Sequence, residues 1–504
     1  MSNYGRWPLL ILMCLFVVAC EKATDASISD GSADSGKEFA GPPFAVGSST
    51  FFIHDDARVY DKVAGINTGV RSLITEIWYP VEPAVASAGN LRRATYGDYV
   101  FGNRQVHRLM MTETTFFHLT PDTVRDGVTV EEIDAAIEEL FLRERQSWVD
   151  APLATGTSAF PVVVMSHGDA GSRYNMETVS EYLASHGYVV IAPEHTGNSP
   201  YSMTGSDPAL ASDGDAQFRA AMAGVLPLLS EHGTYGSRET YGQTYAPLSE
   251  PDDLVGSLQQ LDRALLQRLN DLRATLDTLD EMNADGRFSG RLALDRIGLI
   301  GRSFGGATTL VGLAMEPRFT AGFAVVPVAF PDPRSQLPPQ ALTPAGQESV
   351  LLAAEGETAF TRLSKPTFLL SGAEDALIIG VGKQQAAMSG TEIPSEKNPH
   401  PALRALFEQS DQKVFWGLLA NSNHSTFGVS GGYWWPELKP DTARRALRPQ
   451  VEFDLIDVAL AHRMQQQKAL AFFDLTIRQD PAAGEVILDD SFAGQGLVVE
   501  AGGP

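Results

Sequence analysis

Near the middle of the chain a short apolar run, residues 296–300 (RIGLI), leads without a break into Gly301-Arg302-Ser303-Phe304-Gly305. A helix-forming stretch, residues 307–315, follows at once. A strand, a turn and a helix in such quick succession leave little freedom. The central Ser must sit in a strained backbone geometry at the end of a strand, and the flanking glycines give the close turn its room. The start of the following helix adds positive partial charge beside that Ser. The pattern G-x-S-x-G recurs by chance in chains of this length, so it is this strand–turn–helix setting that marks Ser303 as a candidate nucleophile rather than part of a packing turn.

A Ser hydroxyl attacks poorly at neutral pH unless a base takes its proton and an acid orients the base. On this type of strand–turn–helix the expected chain order is Ser, then Asp or Glu, then His. The histidines after Ser303 are His400, His424 and His462. His462 falls within a helical pattern, as a surface or packing residue. His400 sits in a Pro-flanked loop (NPHP) with no strand leading to it. His424 follows the apolar run 414–419 by the short turn 421–424, and a loop off a late strand can carry an imidazole over the nucleophile. His424 is therefore the expected base, with His400 as the alternative. For the acid, run 367–371 leads into Gly372-Ala373-Glu374-Asp375, which makes Asp375 the first choice and Glu374 a surface neighbour. Asp332, in FPDP, is the alternative; any of these acids could instead cap a turn. Backbone N–H groups must also receive the oxyanion, each typically worth about 2.7–4 kcal/mol. One is expected from Phe304. The other is expected from Asp169, or Ala170, in the Gly-rich turn HGDAG after strand 160–166, with the Asp169 side chain turned away.

Other runs place these motifs in a larger pattern. Residues 73–79, 160–166, 188–192, 296–301, 319–326, 367–371 and 414–419 read as strands, mostly as continuous apolar runs that suit burial on both faces. Residues 130–145, 177–186, 255–282 and 453–477 read as amphipathic helices. Gly187 is a natural stop for the second, and leucines at three-to-four spacing mark the third as a core-packing helix. This alternation predicts an α/β fold with a mainly parallel central sheet and helices on both faces. Three long segments, near 82–158, 197–252 and 331–363, exceed a minimal version of that fold and read as lid-like insertions. The expected organisation is one enlarged catalytic domain over 46–480, with residues 481–504 as a C-terminal tail.

Composition narrows the function further. The 504 residues carry 38 Lys and Arg against 62 Asp and Glu, a net charge of −24. That balance argues against nucleic acid as a partner and against electrostatic docking on anionic lipid. The two cysteines, Cys14 and Cys20, exclude zinc ribbons, iron–sulfur centres and a disulfide scaffold. Both lie at the N-terminus, where Arg6 precedes an apolar run, 9–19, too short to span a bilayer but suited to a secretory signal. The run ends in Val17-Val18-Ala19-Cys20, which resembles a bacterial lipoprotein signal. The expectation is a signal peptide over 1–19, lipidation of Cys20, and a solvated Ser-, Asp- and Gly-rich tether over 20–45. The protein would then be held by its lipid at the bacterial cell envelope, with the outer membrane favoured because Glu21 rather than Asp follows the Cys.

Taken together, several stretches resemble the α/β-hydrolase superfamily, and more narrowly class II platelet-activating-factor acetylhydrolases and dienelactone-hydrolase-like esterases. They are EIWYP at 76–80, SHGDAG at 166–171, LASHGYVVIAPEHTG at 183–197, DRIGLIGRSFGG at 295–306, FLLSGAEDA at 368–376 and NSNHSTF at 421–427. The resemblance implies Ser303 and His424 as catalytic residues and main-chain donors at Asp169 and Phe304. Two departures matter. Animal acetylhydrolases use an Asp after the strand that follows the nucleophile helix, and the stretch 324–329 (AVVPVA) has none, which favours Asp375 and leaves Asp332 open. Arg302 stands where relatives commonly have His, as a partner of a nearby carboxylate, a residue of the site edge or a surface residue. Dienelactone hydrolases use a Cys nucleophile, which this chain lacks beyond residue 20. His195, in PEHTG, reads as structural. The expected activity is a serine carboxylic-ester hydrolase without metal or organic cofactor, acting on a small ester or lipid such as a short-chain or oxidised phospholipid. A broad carboxylesterase or polyester hydrolase is the alternative, with Tyr433, Trp434 and Trp435 as candidate apolar wall. A catalytically silent surface lipoprotein is the rival from outside the enzymes.

Overall fold

The computed structural model describes residues 43–503 apart from 66, 68–69, 102–103, 115–123, 157 and 203–253. The expected signal over 1–19, Cys20, nearly all of the expected tether and most of the second insertion lie outside the described residues. Continuous apolar runs form the middle of the sheet. Its strands are β1 (Ala45–Asp55), β2 (Arg71–Val81), β3 (Arg93–Thr95), β4 (Glu144–Val149), β5 (Phe160–Ser166), β6 (Val189–Pro193), β7 (Leu292–Arg302), β8 (Phe319–Val325), β9 (Thr367–Gly372) and β10 (Val414–Leu419). A separate hairpin joins β11 (Thr442–Arg445) to β12 (Arg448–Asp454), and β13 (Leu497–Gly502) returns to the main sheet. The order across that sheet is β13-β10-β9-β8-β7-β5-β6-β2-β1-β4-β3. The six strands from β6 to β10 in this order are mutually parallel, and β2 and β13 pair antiparallel at either side of them.

Because successive residues of a strand point to opposite faces, an unbroken apolar run feeds two cores at once. In β5, Val163 and Met165 pack with Phe323, Phe472 and Phe473 on one face. Val162 and Val164 pack with Leu272, Leu276 and Leu299 on the other. The helices Glu177–Ser185 and Val458–Thr476 cover the first face; Leu254–Ala284 and Phe304–Met315 cover the second. Burying each such side chain contributes about 1.5–3 kcal/mol, which makes this sheet a rigid base for the loops at its strand ends. Among the described residues no helix is long and apolar enough to cross a membrane.

The structure differs from the sequence expectations in four places. Residues 481–504 are not a tail: the helix Ala483–Leu488 packs on Val458–Thr476, and β13 pairs residue by residue with β10, with Leu497 buried. The last long helix begins at Val458 behind an Asp457 cap rather than at residue 453, because Phe453 belongs to β12 and pairs with Ala443. The first insertion adds to the sheet as well as to its surface, since β4 lies parallel to β1. The helix expected over 130–145 ends at Leu142, where the chain turns into β4.

Candidate active site

All the site residues hang from the C-terminal ends of parallel strands, so they meet along one edge of the sheet. Ser303 follows β7 directly and precedes the helix Phe304–Met315, with φ 58° and ψ −120°. A side chain rarely adopts this backbone region, and the surrounding hydrogen bonds impose it. The Ser303 N–H donates to the Val325 carbonyl of β8 at 2.8 Å, and its own carbonyl accepts from Ala307 at 3.0 Å. Gly305 is required for space: a Cβ there would collide with the Ser166 main-chain carbonyl. Ser166 and Gly301 are register partners, so the turns after β5 and β7 stand side by side.

His424 Nε2 lies 2.9 Å from Ser303 Oγ, and His424 Nδ1 lies 2.8 Å from Asp375 Oδ2. Asp375 is fully buried, and its other oxygen accepts from the Ile378 N–H at 3.0 Å, capping the helix Ala376–Ser389. Burial alone would raise the Asp375 carboxyl. The His424 imidazole, with the Ile378 N–H, outweighs it and holds the group below its ordinary value. The His424 loop is stiffened by Asn423, whose Oδ1 accepts from the Thr426 N–H and hydroxyl at 3.1 and 2.9 Å. The geometry is that of a hydroxyl joined to a base and the base to a buried carboxylate, the arrangement that activates a serine for acyl transfer.

The alternatives are occupied elsewhere. Asp332 pairs with Arg334 at 2.6 Å, and Glu374 pairs with Arg445 on the β11–β12 hairpin. His400 is buried with Nε2 2.8 Å from the Gly372 carbonyl. His462 is also buried, 2.8 Å from Thr178 Oγ1, and burial pushes it down to about 4. Arg302 is not a surface residue: it is buried, and its Nη2 donates to the His424 carbonyl at 2.6 Å. Phe304 opens the helix, where the first N–H groups have no carbonyl of their own helix to bond. Across from it lies the turn 167–171, and the Asp169 carboxylate accepts from Asn198 Nδ2 at 2.7 Å. Trp434 and Trp435 line a cavity beside this turn together with Met111, Tyr174, Tyr201 and Arg302, whereas Tyr433 stacks on His462. Among the described residues no three His, Cys, Asp or Glu side chains are grouped to hold a metal ion.

Sequence reasoning missed the support behind the turn 167–171. Arg268, on the long helix Leu254–Ala284, donates to the carbonyls of His167 and Gly168 at 2.6 and 3.0 Å. Beside it runs a second Ser–His–Asp chain, with Ser166 Oγ 2.9 Å from His195 Nε2 and His195 Nδ1 3.0 Å from Asp271. All three residues are fully buried, so no substrate reaches them. Burial and the nearby Arg268 push His195 down to about 4, so this link is a hydrogen bond of a neutral imidazole rather than an ion pair. No local motif in the sequence joins Ser166, His195 and Asp271, which meet only through the fold.

Part of the chain is similar to known proteins. Residues 139–219 match the family model for platelet-activating factor acetylhydrolase, isoform II. That stretch spans β5, the turn 167–171 and β6, and ends before Ser303. The guinea-pig (Cavia porcellus) platelet-activating factor acetylhydrolase is 27% identical over 194 residues, 38% of this chain and 40% of the relative. The dog (Canis lupus familiaris) protein is 26% identical over 35% of this chain and 36% of its own length. The chain thus spans about two fifths of the curated relatives it matches. Among solved structures, a ferulic acid esterase from Streptomyces cinnamoneus aligns with a TM-score of 0.49 and 18% identity, covering 88% of this chain and 92% of that one. The strand order and the strand–Ser–helix turn are those of the α/β-hydrolase fold, and part of the chain is similar to platelet-activating factor acetylhydrolases of the isoform II family.

Proposed function

We propose that this protein is a serine carboxylic-ester hydrolase. The observation that carries the reading is the unbroken hydrogen-bonded chain from Asp375 through His424 to Ser303, with Ser303 in strained geometry at a helix start. His424 Nε2 takes the Ser303 proton as Oγ attacks the ester carbonyl. The main-chain N–H groups of Phe304 and Asp169 receive the oxyanion. His424 then gives its proton to the leaving alcohol, and a water activated by the same imidazole releases the acyl group. Asp375 keeps the proton on Nδ1 and stabilises the imidazolium while it exists.

A fluorophosphonate probe should label the wild type and leave Ser303→Ala unlabelled. A folded wild type that takes no label contradicts the reading. The acetylhydrolase similarity and the aromatic cavity walls support short-chain or oxidised phospholipid esters as substrates. A panel of p-nitrophenyl esters and phospholipids of graded acyl length separates this from a broad carboxylesterase. Lipidation of Cys20, suggested by the sequence preceding it, would hold the domain at the bacterial envelope. Cys20→Ala should then move the protein from the membrane fraction to the soluble one.

A further inference from the structure

Among the described residues Arg302 is a buried cation with no ion-pair partner of its own. It is 6% exposed, its one hydrogen bond among the described residues goes to the His424 main-chain carbonyl, and its Nε is buried without a partner there. Among the described residues no carboxylate comes within ion-pair distance of it. Asp375 is engaged by His424 and Asp169 by Asn198. The buried arginines Arg71, Arg145 and Arg173, by contrast, each face a carboxylate: Asp271, Glu76 and Glu194. Burying a guanidinium with no ion pair is costly: burial drags this one down to about 10, and the more distant pull of the Asp375 carboxylate offsets that only in part.

Its position gives the charge a use. A Cβ placed on Gly168 would stand 3.3 Å from Ser303 Cβ and 3.8 Å from Arg302 Nη1, so nucleophile and guanidinium flank the same glycine. A Cβ on Gly428 would stand 3.1 Å from Arg302 Nε and 3.4 Å from Asn175 Nδ2. The bare backbone there leaves room for the guanidinium, with an amide donor beside it. Arg302 and Asn175 both line the cavity beside the turn 167–171, and Arg302 immediately precedes Ser303 in the chain. A planar cation with free donor capacity matches a carboxylate or a phosphate.

We propose that Arg302 is the anion-recognition group of this site, and that its preferred substrates are esters carrying a carboxylate or phosphate on the part lodged in the cavity that Arg302 lines beside the turn 167–171. This rests on the ester-hydrolase reading and names the substrate class within it. The test compares matched pairs. One is mono-p-nitrophenyl glutarate against its methyl ester, which removes the carboxylate. The other is a 1-alkyl-2-acetylglycerol 3-phosphate against the 1-alkyl-2-acetylglycerol. Wild type should favour the anionic member of at least one pair by tenfold or more in kcat/KM, and the pair that responds identifies the anion. Arg302→Met should bring that ratio close to one, chiefly through KM of the anionic member, and Arg302→Lys should keep part of it.

Turnover of the neutral esters with no anionic preference in either pair overturns this proposal and leaves the hydrolase reading standing. So does an Arg302→Met variant that slows both members by the same factor, the behaviour of a residue that only positions the His424 loop. If Arg302→Met does not fold, the wild-type ratios decide, together with competitive inhibition by free glutarate or inorganic phosphate; absence of both overturns it. No turnover and no phosphonate labelling overturn both readings.

Discussion

Asp375 holds the His424 ring with one carboxylate oxygen and caps a helix with the other, so substitutions there act on two separable properties. Asp375→Asn keeps a capping oxygen but gives Nδ1 of His424 the wrong partner. We expect kcat to fall by roughly 10³–10⁴ with little loss of stability. Asp375→Ala should in addition cost about 1 kcal/mol or more in denaturant unfolding, because the cap is lost too. Asp332→Asn should change kcat by less than a few-fold, since that carboxylate is spent on Arg334; a larger loss at Asp332 than at Asp375 would reverse the assignment. The sequence left these two acids open because each follows a strand. The discriminating contacts are an Arg two residues after Asp332 and a His 49 residues after Asp375, and only the first is local enough to read. The burial of Arg302 had no sequence signal at all, because its surroundings come from turns more than a hundred residues away on either side.

At the scale of elements, the turn after β7 is held by backbone packing that no side chain can relieve. Gly305→Ala drives a Cβ into the Ser166 carbonyl. It should cost more than about 2 kcal/mol in chemical denaturation, or prevent recovery of folded protein. A variant with unchanged midpoint would mean the two turns are less tightly joined than described. The parallel strands were readable because apolar runs fill both cores. β1 and β13 were not: β1 (AVGSSTFFIHD) mixes serines with aromatics, and β13 is short with exposed residues, so only pairing with a distant strand makes either one regular. The same holds for β12, where Phe453 fits a helical pattern until the hairpin claims it. The third insertion is likewise fixed from afar, with Asp262 accepting from Ser349 Oγ and from the N–H groups of Val350 and Leu351.

For the molecule as a whole, its buried histidines set the response to acid. Burial pushes His107 down to about 3 and His195 and His462 to about 4, and it lowers His167 and His400 as well. Below the ordinary histidine value near 6.5 the unfolded chain takes up these protons and the folded one does not. Stability is therefore full above about pH 6.5 and falls as the pH drops towards the folded values, by about 1.4 kcal/mol per pH unit for each such group. Glu177 and Glu181 act in the opposite direction, because burial raises their carboxyls and the folded state holds protons the unfolded state has released. Five histidines outweigh two carboxyls, so unfolding free energy measured in urea should fall by at least about 2 kcal/mol between pH 6.5 and 5. A flat or rising profile over that interval would contradict the assignment of neutral, buried rings.

The pairing of β13 with β10 also has a consequence in time. Every strand of the parallel core is synthesised before β13, yet the backbone edge of β10 stays open until residues 497–502 arrive. At roughly 5–20 residues per second that edge waits several seconds after β10 itself is made. An unpaired edge of this kind is a template for pairing with another chain. The nascent protein therefore passes through an interval in which its catalytic half is assembled but its flank is adhesive, and the stretch that ends the exposure is the last of the described strands to be made.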